Sequence, residues 1–328
     1  MAPKSKQVKK KKQSKSATRP ASLSYGLPTR RQRSTLGALS KGEIQAVTGM
    51  VDPFSESARG ARIADDDSAF STSFQLRTTV HLTTLGTTAS ISVIPNPSAL
   101  YRQGATYSGT VISTFGSHAP ATDYAQFSAN FDRYRVVSWG VRFYCTAAPT
   151  NQSGSVRAVV AAQPVQAGVD INGGLWNAVV NESVAGLDLH YVSRPTGVNW
   201  KDYIAVNAEA DYDTVCAAFF GLPDASTVPT AVAAEIIMNL ECVTDNQSVI
   251  SAITKPGEPS NPRVMAAASH AHSNHKGLHN SASTWGWQVG NLVMGGLRYA
   301  ARRMLPVVGD VIADRLMPKR YPGIMDVD

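Results

Sequence analysis

Tyr134-Arg-Val-Val-Ser-Trp-Gly-Val-Arg-Phe-Tyr144 reads as one long strand, and Asn151-Gln-Ser-Gly154 turns it back into a second strand at residues 156–162. Working outward, Phe74-Gln-Leu-Arg-Thr-Thr-Val-His-Leu82 alternates with period two through Phe74, Leu76, Val80 and Leu82. Ala89-Ser-Ile-Ser-Val-Ile94 alternates likewise and stops at the turn signal Pro95-Asn96-Pro97. Residues 215–220 and 231–243 supply the last two strands, whereas residues 98–130 and 164–185 read as long loops. No βαβ alternation appears, so residues 51–250 are expected to form an all-β sandwich or jelly roll.

Composition agrees with that reading. The chain has 328 residues, 43% apolar and only 17% charged. That is enough apolar matter for a sizeable core, with the small polar side chains that suit strand faces. Charge is segregated. Residues 1–42 hold twelve Lys or Arg and no Asp or Glu, while the other 286 residues carry 19 basic and 24 acidic side chains, a net of −5. The first fifty residues lack the apolar surface to repay their ordering entropy and are expected to be a disordered basic arm, with a short helix possible near residues 41–50.

A polycation of this kind binds polyanions by counterion release without reading bases. Lys4, Lys6, Lys9, Lys10, Lys11, Lys12, Lys15, Arg19, Arg30, Arg31 and Arg33 are therefore the expected nucleic-acid-binding residues. A solvated tail, a nuclear-localisation signal or an organellar presequence are the other readings. The arm has no apolar segment of the secretory type. Three scattered cysteines, Cys145, Cys216 and Cys242, argue against a disulfide scaffold.

Beyond residue 250 the character changes. Residues 255–263 contain three prolines and read as a linker, and the polar stretch from His270 to His279 reads as a solvated loop. His275 and His279 have metal-ligand spacing but no carboxylate or cysteine beside them. Trp285, Val289, Val293, Leu297, Ala300 and Met304 then recur at helical spacing opposite Arg298 and Arg302. This amphipathic helix suits docking onto the body, contact with RNA or insertion into a membrane surface. Asp65-Asp66-Asp67 could hold Ca²⁺ at a subunit contact or simply form a surface turn. No phosphate-binding loop, nucleophile elbow, HExxH or Cys-X-X-Cys motif occurs, so conventional enzyme equipment is absent from the sequence.

Four segments resemble the coat proteins of small icosahedral positive-strand RNA viruses, of nodavirus type and more broadly of tombusvirus-like shell type. They are Val93-Ile-Pro-Asn-Pro-Ser-Ala-Leu-Tyr101, the hairpin beginning Phe131-Asp-Arg-Tyr134, the segment from Asp52 to Asp65, and Asn280-Ser-Ala-Ser-Thr-Trp285. The resemblance implies an eight-stranded antiparallel jelly roll that self-assembles, as T=3 shells of about 180 copies, around single-stranded viral RNA. At that copy number the arms would place on the order of 2,000 positive charges inside the shell. It also implies a virion location with assembly in the host cytoplasm, a host receptor, a transient membrane contact through the last helix, and no catalytic role beyond one self-cleavage. In that cleavage Asp52, protonated, would polarise the carbonyl of Asn280, whose side-chain amide attacks it and releases the segment from Ser281 onward. This sequence has Ser281 where that family usually has Ala. The alternatives from other classes are a non-viral nucleic-acid-binding β-sandwich with a basic targeting tail and a β-sandwich hydrolase.

Overall fold

The computed structural model describes residues 39–279, apart from short stretches at 68, 105, 109–110, 163–164, 166, 169, 171–178, 227, 229, 245–248 and 274–277. The first described element is a helix, α1 (Lys41–Val51), followed by β1 (Thr72–His81), β2 (Ala89–Val93), β3 (Tyr101–Gln103), β4 (Thr106–Ser108) and β5 (Val111–Thr114). A short helix α2 (Tyr124–Asn130) leads into β6 (Phe131–Cys145), followed by β7 (Ser155–Ala161), β8 (Val179–Ser183), β9 (Asp188–Val192) and β10 (Ile204–Ala205). The last elements are β11 (Thr214–Phe220), β12 (Val232–Thr244), α3 (Pro262–Ser273) and β13 (Leu278–His279).

Two antiparallel sheets face each other. One has the order β1-β12-β6-β9-β13, the other β3-β2-β11-β7-β8. Eight of these strands (β1, β2, β6, β7, β8, β9, β11 and β12) form the two four-stranded halves of a jelly roll, with the chain crossing between the sheets as it goes. The core fills with alternate side chains from both inner faces. Trp139 meets Tyr191 and Phe143 meets Phe219, each edge to face, with ring centroids 6.2 and 5.9 Å apart. The β6–β7 connection needs a glycine. Gly154 has φ +107°, and a Cβ there would lie 2.5 Å from the Phe220 carbonyl oxygen.

The outer faces of the sheets are covered differently. The hairpin β4–β5 lies over the second sheet, where Ile112, Val159, Val165, Cys216 and Ala218 form a small apolar cluster and Tyr107 packs on Phe220. The helices α1 and α3 lie over the first sheet, burying Val47, Met50 and Val51 with Val264, Ala267, Ala268 and Ala271 against Val137 and Val192. Val137 faces outward because β12 shifts register against β6 between Asn239 and Leu240. Ser40 caps α1. Its hydroxyl accepts from the Glu43 N–H while Glu43 Oε2 accepts from the Ser40 N–H at 2.6 Å, a reciprocal arrangement typically worth about 1 kcal/mol.

Several segments differ from the sequence reading. The long loops expected at 98–130 and 164–185 contain β3, β4, β5, α2 and β8. Helix α3 takes in the end of the expected linker, residues 262–263, and the start of the expected histidine loop, residues 270–273, with Pro262 as its first residue and the Asn261 side chain accepting from the Arg263 and Val264 N–H groups. A proline costs nothing at that position because its missing N–H would have had no partner in the helix. Residues 1–38 of the basic arm and the segment containing Trp285, Val289, Val293, Leu297, Arg298 and Arg302 lie outside the described residues, while α1 occupies the place of the short helix expected near 41–50. No described helix is long and apolar enough to cross a membrane.

Candidate functional site

Asp52 terminates α1. Its own N–H donates to the Thr48 carbonyl at 2.8 Å, and its Oδ1 accepts from the Phe54 N–H at 3.0 Å. Only 9% of the residue is exposed. Burial pushes its carboxyl up to about 6, against the pull of the Phe54 and Ser55 N–H groups. A carboxyl at that value is still partly protonated near neutral pH, so it can donate a hydrogen bond as well as accept one.

The residues after Asp52 sit directly on the first sheet. Pro53 and Phe54 cover Gly140 of β6 so closely that a Cβ there would meet Pro53 Cγ at 2.9 Å and Phe54 Cε2 at 3.0 Å. Asn239 Nδ2 donates to the Pro53 carbonyl at 3.0 Å, and Ser138 Oγ donates to the Gly49 carbonyl at 2.8 Å. The Phe54 ring meets His190 of β9 edge on, with centroids 6.1 Å apart.

The end of the described residues returns to the same place. β13 adds to the free edge of β9 with Leu278 opposite Tyr191 and His279 opposite His190. His190 is thus the common neighbour of Phe54 and of the backbone at His279. Asn280 and Ser281 follow His279 and lie outside the described residues, as do Lys4, Lys6, Lys9, Lys10, Lys11, Lys12, Lys15, Arg19, Arg30, Arg31 and Arg33. Of the two residues expected to take part in cleavage, the structure describes Asp52, and it brings the chain preceding Asn280 to the strand that Phe54 covers.

A second polar group on this face was not foreseen from the sequence. Glu241 of β12 is fully buried; its Oε2 pairs with Arg135 of β6 at 2.9 Å and its Oε1 with Arg62 at 3.2 Å. Ser71 Oγ donates to the same Oε1 at 2.6 Å, and the Ile63 N–H donates to Oε2 at 3.0 Å. Burial alone would raise the Glu241 pKa, but Arg135 and these hydrogen bonds outweigh it and hold the carboxyl below its ordinary value. Arg135 also reaches Asp65, with Nη1–Oδ2 and Nη2–Oδ1 distances of 2.6 and 3.1 Å. The network fastens residues 61–67 to the sheet. It could not be read from sequence because its members are up to 179 positions apart.

The same pairing bears on calcium. Both Asp65 oxygens accept from Arg135, and Asp67 Oδ1 accepts from the Ala69 N–H at 2.9 Å. Among the described residues no three His, Cys, Asp or Glu side chains gather as a metal site.

No protein-family model matches the chain, and no curated protein matches its sequence. Solved structures do match its fold. A structure of the T13 particle of infectious bursal disease virus superposes with a TM-score of 0.59 at 11% identity, covering 80% of this chain and 100% of that one. The T=1 particles derived from that virus match at 0.55 and 10% identity, over 76% of this chain and 96% of the other. The subviral particle of its VP2 protein matches at 0.54 and 9% identity, over 76% and 99%. At such identities the likeness is one of architecture: this chain has the jelly-roll fold seen in the subunits of an icosahedral virus particle.

Proposed function

We infer that the chain is the coat protein of a small icosahedral RNA virus, a structural subunit that assembles into a closed shell around single-stranded RNA. The observation that carries this reading is the eight-stranded jelly roll, matched across most of the chain by subunits from virus particles. Both described ends, Leu39 before α1 and His279 in β13, lie with the helix-covered sheet. That sheet would face the interior, so that residues 4–33 enter the enclosed space and neutralise the genome. Electron microscopy of the purified protein tests the reading: RNA-filled spherical particles are expected, and a monomer stable at all salt concentrations would overturn it. Deleting residues 2–33 should lower the encapsidated RNA; unchanged RNA content would remove the arm from that role.

The finer part of the proposal is one self-cleavage between Asn280 and Ser281. The Asn280 side-chain nitrogen attacks its own main-chain carbonyl carbon, and the protonated Asp52 carboxyl donates a hydrogen bond to the carbonyl oxygen. The C–N bond to Ser281 breaks, a proton passes to the departing amine, and water later opens the resulting cyclic imide. The released segment carries the cationic helix from Trp285 to Met304, of the kind that inserts into a host membrane surface. Mass spectrometry of assembled particles should find a fragment beginning at Ser281. An uncut chain would overturn the step, and cutting that persists in Asp52→Asn would remove Asp52 from it.

A further inference from the structure

A cavity of about 350 Å³ lies between α3 and the segment that follows β9, lined by Arg194, Thr196, Trp200, Asp213, Ser269 and His272 among others. It belongs neither to the Asp52 site nor to the Glu241 network. We propose that it binds one unpaired base of single-stranded RNA, an inference that rests on the reading of the helix-covered face as the genome-facing one.

The argument begins with His272. It sits in the last turn of α3, where one ring nitrogen donates to the Met50 carbonyl and the other, Nδ1, is buried without a hydrogen-bond partner. Burial is the main cause that pushes its pKa down to about 4, so at neutral pH the imidazole is uncharged and Nδ1 is a lone-pair acceptor. The cavity therefore asks for a ligand with an N–H or O–H donor. Arg194 supplies the opposite need. Its Nε lies 3.5 Å from Asp213 Oδ2, close enough for an ion pair but leaving that N–H without a hydrogen bond. Asp213 is itself fixed by the Tyr191 hydroxyl, which donates to the same oxygen at 2.7 Å.

An acceptor and a donor in one cavity lining suit the edge of a nucleobase, where a ring or exocyclic N–H neighbours a ring nitrogen or carbonyl oxygen. Trp200 adds an aromatic wall, held edge on against Tyr212 with centroids 6.3 Å apart. A phosphate group fits the lining poorly, because it would face the Asp213 carboxylate and the lone pair of a neutral imidazole. The volume suits one planar ring system and falls at the small end of ligand sites, roughly 300–1,000 Å³. The polycationic arm cannot read bases, so this cavity would be the point at which a shell subunit distinguishes them.

The test uses the purified full-length protein in about 0.5 M NaCl, where arm binding is screened. AMP, CMP, GMP and UMP are titrated in turn and followed by ligand-observed NMR. At least one should bind saturably at about millimolar concentration, as expected for a single stacked base. Trp200→Leu should weaken that binding by about tenfold. Arg194→Gln, at a partly exposed position that keeps the fold safe, should do the same. Absence of saturable binding by all four nucleotides would overturn the proposal, as would affinities unchanged in both variants. Nucleotide binding that is lost in the variants while assembled particles contain no RNA would support the cavity and strike the packaging reading alone.

Discussion

The two outer faces of the sandwich are sealed by different physics. Over the second sheet, the β4–β5 hairpin presses Ile112 onto Val159, Cys216 and Ala218, an apolar contact with Arg102 laid across the Phe115 ring at 4.2 Å. Over the first sheet, the apolar contact of α1 and α3 is joined to a buried ionic network and a buried carboxyl. Apolar seals respond to lost volume and are indifferent to charge. Ionic seals tolerate no missing partner and respond to pH. The helix-covered face is therefore the chemically responsive side of the molecule, and it is the side where the described ends of the chain lie.

Removing one partner from the network should break the contrast most sharply. Glu241→Ala would leave Arg135 and Arg62 buried beside an empty acceptor position, with an expected loss of about 3–5 kcal/mol in chemical denaturation. A loss below about 1 kcal/mol would mean that the network is not what holds residues 61–67. The matching cut on the other face is Ile112→Ala. It should cost about 3 kcal/mol, the same near pH 5 as near pH 8, because no charge is involved.

Asp52→Asn sharpens the comparison through pH. The folded carboxyl titrates at about 6 against an ordinary 3.8, so the folded state holds the proton more tightly than the unfolded one. Stability is then highest below the ordinary value and declines as pH rises from 3.8 through 6. The substitution should raise the melting temperature near pH 8, by the equivalent of roughly 2–3 kcal/mol, and leave it unchanged at acid pH. An equal gain at both ends would show that packing, not ionisation, sets the effect. The smallest effect is expected from Asp188→Ala, which breaks the ion pair with Arg142 on the same sheet. Both side chains are partly exposed, so thermal denaturation should register a change of no more than about 1 kcal/mol.

What could be read in advance follows the strength of local patterning. β6, β12, β1 and β11 are long or strictly periodic, and each was placed from its own residues. β8 and β9 are five residues each, and Asp188 and His190 interrupt the apolar character of β9, so nothing local marks it as a framework strand. Helix α3 did leave a signal, Asn261 followed by Pro262 and then Val264, Ala267, Ala268 and Ala271, but three nearby prolines were read as a linker. Asp52 stands out only through the resemblance; its burial depends on α1 and the sheet meeting over Gly140, which no window of sequence contains. His272 was noted only within a polar run. Its burial comes from the packing of α3 on α1, whose Met50 lies more than two hundred residues earlier.

β13 finishes one margin of the first sheet at the last described residues. Its two residues complete the ladder on β9, so a chain severed downstream of His279 would lose none of the pairing that closes that margin. In the proposed shell, a subunit built this way would surrender its tail and keep its framework.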